Sequence, residues 1–181
     1  MKKGIVYLVG AGPGDERLIT VRGLDLLRRA EALVYDRLVN PSLLRHVPAG
    51  AIRVNAGRWT RKDPKRQPRI HRVLERLSRR GLRVVRLKGG DPLIFGRGGE
   101  EAEFLQSRGI PFEFVPGPTA ASASAYAGIP LTHRDWSSKI TLLTGRQAEG
   151  KGEIDVTNVP RDGTLVIYMG VEALQSVSRK L

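Results

Sequence analysis

Short apolar runs alternate with segments of helical period along most of the chain. The stretches "GIVYLVG" (4–10), "ALVYD" (32–36), "AIRVNAG" (51–57), "LRVVRL" (82–87) and "FEFVPG" (112–117) are short runs closed by Gly, Asp, Pro or a glycine-rich loop, the pattern of buried strands. Between them, "LITVRGLDLLRRAEA" and "EEAEFLQSRG" carry helical spacing, the latter predicting a helix from Glu100. "NPSLLRHV" predicts a helix capped by Asn40 with Pro41 in its first position. In "QPRIHRVLERLSRRG", Ile70, Val73, Leu74 and Leu77 fall at i, i+3, i+4 and i+7, arginines fill most of the other face, and Gly81 follows as a stop. That is a surface helix.

Short strands separated by helices imply parallel β–α units, because parallel neighbours need a crossover. The fold class expected is α/β, with an N-terminal α/β domain over 1–114 and a second over 115–181. In the second, "KITLLTG", "TLVIYMG" and a helix from Val171 restart the pattern. Two strands and two helices are few for an independent sheet, so this domain reads as truncated or unusually small.

Composition narrows the classes. Hydrophobic residues make up 40% of the 181, ordinary for a globular protein. No apolar run approaches a membrane span and the N-terminal run is too short for a signal peptide, which together point to the cytoplasm. The lack of cysteine excludes disulfides, thiolate nucleophiles and iron–sulfur clusters, and His46, His71 and His133 are too scattered for a zinc site, so no metal is expected. The net charge of +13 is uneven: residues 53–88 hold 14 Lys or Arg against Asp63 and Glu75. Such a patch suits RNA, a membrane surface or a carboxylate-rich small molecule, or it is an idle solvated surface.

Four strand ends carry residues with chemical potential, and in open parallel sheets ligands bind there. They are "GAGPGD", "YDR", "KGGDP" and "PGPTAA". The first resembles the start of a dinucleotide fingerprint, with Asp36 lying 22 residues beyond Gly14. Asp15 stands where the third glycine belongs, Pro13 lacks an N–H, and Asp15 with Glu16 would repel a pyrophosphate, so a structural turn remains the alternative. In "KGGDPLIFGRGGEE", Gly89 and Gly90 leave backbone bare, Asp91 offers an acceptor, Pro92 stiffens the exit, and Gly96, Gly98 and Gly99 keep the next turn free of side chains.

Together "VGAGPGD", "LVYDRLV", "VVRLKGGDPLIFGRGGEE", "FEFVPGPTAASASAYAGIPLTHRD" and "LVIYMG" resemble the tetrapyrrole methylase family, most closely its members that methylate uroporphyrinogen III. The resemblance implies two α/β domains with S-adenosylmethionine in the cleft between them, S-adenosylhomocysteine as its product, and a homodimer. It also implies C-methylation of uroporphyrinogen III to precorrin-2, on the way to sirohaem or cobalamin. Residue by residue, it places the cofactor against Pro13, Gly89, Gly90, Asp91, Ile94, Thr119, Ala120 and Met169. Ile94 and Met169 are also ordinary core residues beside strands. Asp36 takes the position of the proton acceptor, with a turn-capping role beside Asn40 as its alternative. The family's Gly-Lys after the third strand is Gly57-Arg58 here; Arg does not readily give up a proton, so Arg58, like Arg97, reads as a clamp for substrate carboxylates. The family's pattern continues beyond "YMG" with further strands on the adenine side. Other readings left open are another precorrin methyltransferase, an RNA methyltransferase, and an RNA-binding module on the same scaffold. Trp59 alone among the basic residues is poor provision for base stacking, which makes nucleic acid the weaker partner.

Overall fold

The computed structural model describes residues 4–59, 64–145, 156, 159–160 and 162–180. The chain divides into two compact units, Met1–Ala120 and Ala121–Leu181.

In the first unit the five apolar runs are strands: β1 (Ile5–Gly10), β2 (Ala32–Tyr35), β3 (Ile52–Asn55), β4 (Arg83–Lys88) and β5 (Phe112–Val115). They form one sheet in the order β3-β2-β4-β1-β5, every pair parallel. The loops that follow the strands therefore leave along a single edge. Crossovers are provided by α1 (Val21–Arg28), α2 (Arg66–Arg79), α3 (Gly98–Ser107) and a 3-10 segment, Pro41–His46.

Both faces of the sheet are covered, as strand alternation requires. Val6, Leu8, Val34 and Val84 meet Ile70, Leu74 and Leu77 of α2 and Leu105 of α3. Val9, Leu33, Val85 and Leu87 face the other way, toward Leu27 of α1 and Leu43 and Val47 around the 3-10 segment. Each fully buried side chain of this kind contributes roughly 1.5–3 kcal/mol.

Three expected boundaries shift, each for a local reason. The long segment from Leu18 becomes a 3-10 turn, Glu16–Leu18, and a separate α1, because Asp15 and Thr20 divert backbone donors to their side chains, from Arg17 N and Gly23 N respectively. Asn40 does cap the next segment, accepting from Ser42 N at 3.0 Å, but its six residues settle as 3-10 helix. α3 begins at Gly98, not Glu100: a Cβ at 98 would lie 2.4 Å from the Pro92 carbonyl oxygen, so this helical turn closes only on glycine.

The first unit runs on to Ala120 because the turn after β5 packs back on it; Gly117 N donates to Asp91 Oδ2 at 3.2 Å. The second unit holds 3-10 turns over Ala120–Ala127, a parallel pair β6 (Ile140–Thr144) and β7 (Thr164–Tyr168), and α4 (Leu174–Ser178), three residues beyond the Val171 expected. Val156 and Val177 are its buried centre, with Leu143 and Ile167 packed against them. Among the described residues no helix is long and apolar enough to cross a membrane.

Candidate active site

Strand order decides which loops meet. β4 lies between β2 and β1, with Tyr35 opposite Leu87 and Gly10 opposite Lys88, so the residues after β1, β2 and β4 emerge side by side. Ala11 N donates to the Lys88 carbonyl at 2.8 Å, and Gly12 and Gly90 pair as a small antiparallel bridge. A Cβ on Gly10 would stand 2.6 Å from both Gly117 N and the Gly90 carbonyl, so three loops touch backbone to backbone. Asn40 Nδ2 donates to the Gly14 carbonyl at 2.8 Å and ties in the fourth loop.

Most of the residues singled out in the sequence lie on this edge. Pro13, Gly89, Gly90, Asp91, Thr119 and Ala120 sit on the knitted loops, and the Ala120 amide nitrogen is 3.4 Å from where a Gly90 Cβ would be. A Cβ on Gly89 would meet nothing nearer than Leu38 Cβ at 3.5 Å, so its backbone is open. Ile94 is half-buried in the turn beyond Pro92. Asp91 is more occupied than its sequence suggests: Oδ1 accepts from Leu93 N at 2.8 Å and Oδ2 from Gly117 N. It clasps the glycine loop to the loop after β5.

The arginines are less central. Arg97 takes a left-handed backbone, φ 58°, and pairs with Glu100 at 2.6 Å, half-exposed. Phe95 is also left-handed. Strain of this kind costs on the order of 1–3 kcal/mol per residue and collects at functional loops. Arg58 ends a 3-10 turn after β3 and is exposed, while Gly57 beneath it packs on Arg37, the residue after Asp36. Met169 belongs to the second unit, where it follows β7 with φ 54° and is half-exposed. Arg61 and Lys62 of the basic stretch lie outside the described residues.

A charge cluster that pattern reading missed surrounds Asp36. Arg86 and Lys88, read above as part of the basic patch, are 1% and 2% exposed inside β4, and Glu101 of α3 is 0% exposed. Arg86 Nη2 donates to both Asp36 oxygens, at 2.9 and 3.0 Å, and Arg66 Nη2 donates to Oδ1 at 3.2 Å. Glu101 Oε1 accepts from Lys88 Nζ at 2.8 Å, from Arg86 Nη2 and Nε at 3.1 and 3.2 Å, and from Gln67 Nε2 at 3.3 Å. The signal was two cations at i and i+2 in an apolar strand, sharing the face of Val84 and answered by a glutamate in the next helix. Burial pushes the Asp36 carboxyl up, but the charges of Arg86 and then Lys88 outweigh it and hold the group below the usual carboxylate range. Glu101 is likewise lowered, burial being overcome by Arg86 and Lys88. Burial, reinforced by Arg86, depresses the Lys88 ammonium. Among the described residues no group of three or more His, Asp or Glu could hold a metal ion.

The family model for Tetrapyrrole (Corrin/Porphyrin) Methylases matches residues 5–181, and the chain belongs to that family. It is 48% identical to the sirohaem synthase of Nitrosospira multiformis over 181 residues, covering 99% of this chain but 38% of that protein. The uroporphyrin-III C-methyl transferase of Thermus thermophilus, solved in complex with S-adenyl homocysteine, superposes with a TM-score of 0.83 at 43% identity, over 97% of this chain and 74% of that one. A cobalt precorrin-4 methyltransferase superposes with a TM-score of 0.76 at 27% identity, over 97% and 73%. The chain thus spans well under half of the curated relative.

Proposed function

We propose that this protein binds S-adenosylmethionine against the glycine-rich edge of the first sheet and C-methylates uroporphyrinogen III to precorrin-2. The observation that carries the reading is the juxtaposition of bare loop backbone with an ionised carboxylate: Asp36 and the Gly89-Gly90 backbone leave neighbouring strands at the mouth of one parallel sheet, with Ala120 against Gly90. The residues fit the cofactor. Open backbone groups and small side chains suit an adenosine and an amino-acid tail, and carbonyl oxygens suit a sulfonium better than cationic side chains do. Pro13, Asp91, Ile94 and Thr119 complete the assigned contacts on this unit.

The bound cofactor supplies an electrophilic methyl group. The chain's own work is alignment of the electron-rich pyrrolic carbon, then removal of a proton from the methylated ring system. A methylated tetrapyrrole cation is a strong acid, so a carboxylate held below the usual range still accepts its proton and is ionised throughout the neutral range. Arg58 and Arg97 would meet substrate carboxylates at the exposed rim. A cytoplasmic homodimer completes the reading; exposed Tyr126, Ile129 and Trp136 in the second unit are apolar surface of the kind a second copy covers. The test is incubation of the intact protein with S-adenosylmethionine, uroporphyrinogen III and RNA, followed by mass spectrometry of both tetrapyrrole and RNA. Two added methyl groups are expected, and methylated RNA with unmodified tetrapyrrole would overturn the substrate.

Asp91→Ala is expected to weaken S-adenosylmethionine binding by tenfold or so, with only a modest loss of stability, since it releases the Leu93 and Gly117 amides that shape the loop. Calorimetry giving an affinity within about twofold of wild type would remove Asp91 from the binding loop.

A further inference from the structure

Three cations and two carboxylates meet where β4 ends: Arg66, Arg86, Lys88, Asp36 and Glu101. Burying charges costs several kcal/mol per ion even when they pair, and apolar side chains would fill the centre of the sheet at less cost. The arrangement is also directional. Arg86 is held by Glu101 on one side and by weak contacts to the Val34 and Leu87 carbonyls, at 3.5 and 3.4 Å, on another, which leaves its Nη2 spanning both oxygens of Asp36. Asp36 itself keeps a side-chain exposure of 21%, so lone pairs not taken by Arg86 and Arg66 remain accessible.

We propose that Glu101 and Arg86 are positioning residues for Asp36: Glu101, on α3, fixes the guanidinium of Arg86, and that guanidinium sets the plane of the Asp36 carboxylate at the mouth of the sheet. The proposal rests on the reading of Asp36 as proton acceptor. Lys88 explains why Glu101 is needed. Its ammonium lies 2.8 Å from Glu101 and 3.9 Å from Asp36, so without the glutamate both Lys88 and Arg86 would turn their charge on Asp36 and draw it inward. Glu101 uses a single oxygen for its four donor contacts, and Oε2 is buried without a hydrogen-bond partner among the described residues. Glu101→Gln therefore keeps the shape and one acceptor while deleting the charge.

The charged groups facing Asp36 are Arg86 and Lys88 from β4 and Arg66 from α2, with Glu101 of α3 acting through the first two and Gln67 and His71 of α2 bordering Glu101. Turnover that needs ionised Asp36 is lost as pH falls through its folded pKa. Deleting the Glu101 charge lowers that pKa further, and deleting the Arg86 cation raises it. In the intact enzyme, Glu101→Gln is expected to cut kcat by about 10- to 100-fold, with KM for both substrates within about threefold. The acid limb of kcat should move down by about one pH unit in Glu101→Gln and up by about one in Arg86→Gln. Adding Glu101→Gln to Asp36→Asn should cost nothing further. Limbs that move together or not at all, or costs that add, overturn the proposal. If Arg86→Gln loses its cooperative melt, Arg86→Lys serves instead: it keeps the charge and loses the fork, so kcat falls with the limb unmoved, and wild-type kcat overturns the proposal. Wild-type turnover in Asp36→Asn would remove the proton-acceptor reading alone. The positioning is then read from ¹³C titration of the Asp36 carboxyl in the same variants, where opposite displacements uphold it and any other pattern overturns it.

Discussion

Replacing Asp36 with Asn is expected to lower methyl-transfer turnover by about 100-fold or more, the ordinary yield of a general base, while S-adenosylmethionine affinity stays within about threefold. Asn keeps the size and one acceptor oxygen, so Arg86 and Arg66 retain a partner and the fold persists. What disappears is the negative charge that takes the proton. Single-turnover measurement separates the steps: methyl transfer to the ring should remain possible, and release of the deprotonated product should slow. Wild-type turnover from pH 6 to 9 or thereabouts would show that solvent takes the proton without help.

Gly10→Ala is expected to be severely damaging, costing about 3 kcal/mol in urea denaturation and abolishing measurable cofactor binding. The added methyl carbon would stand 2.6 Å from Gly117 N and from the Gly90 carbonyl, both backbone atoms of neighbouring loops that cannot yield without parting. Gly99→Ala is the contrast. No atom lies within 4 Å of its Cβ position and it falls in the first turn of α3, where alanine is the better helix former. Equal stability for the two variants would mean that backbone contact between the loops does not shape the edge.

The strands and helices of the first unit were legible because their signals are local. A short apolar run closed by Gly or Pro identifies β1 or β5, and Ile70, Leu74 and Leu77 show the buried face of α2 without reference to any neighbour. The glycines were legible for a similar reason, since a run such as Gly89-Gly90-Asp91-Pro92 has few uses other than an irregular loop. Helix ends were less legible. Gly98 reads as a helix breaker until the Pro92 carbonyl is seen against it.

The sequence by itself determined the α/β class, the loops that bear chemistry, and, through resemblance, the family and the candidacy of Asp36. Only the tertiary structure decided what Asp36 is attached to. Arg86 and Lys88 were counted in a basic surface patch because fourteen cations in thirty-six residues look solvated whatever their place. Their burial follows from strand order: β4 sits between β2 and β1, so its side chains have no route to solvent and must find carboxylates on β2's loop and on α3. Those partners lie 50 and 15 residues from Arg86 along the chain. Hydrophobic periodicity reports which way a side chain faces relative to its own element. It carries no information about which strand lies alongside, and that neighbour sets the charge, the orientation and the proton affinity of the group expected to do the chemistry.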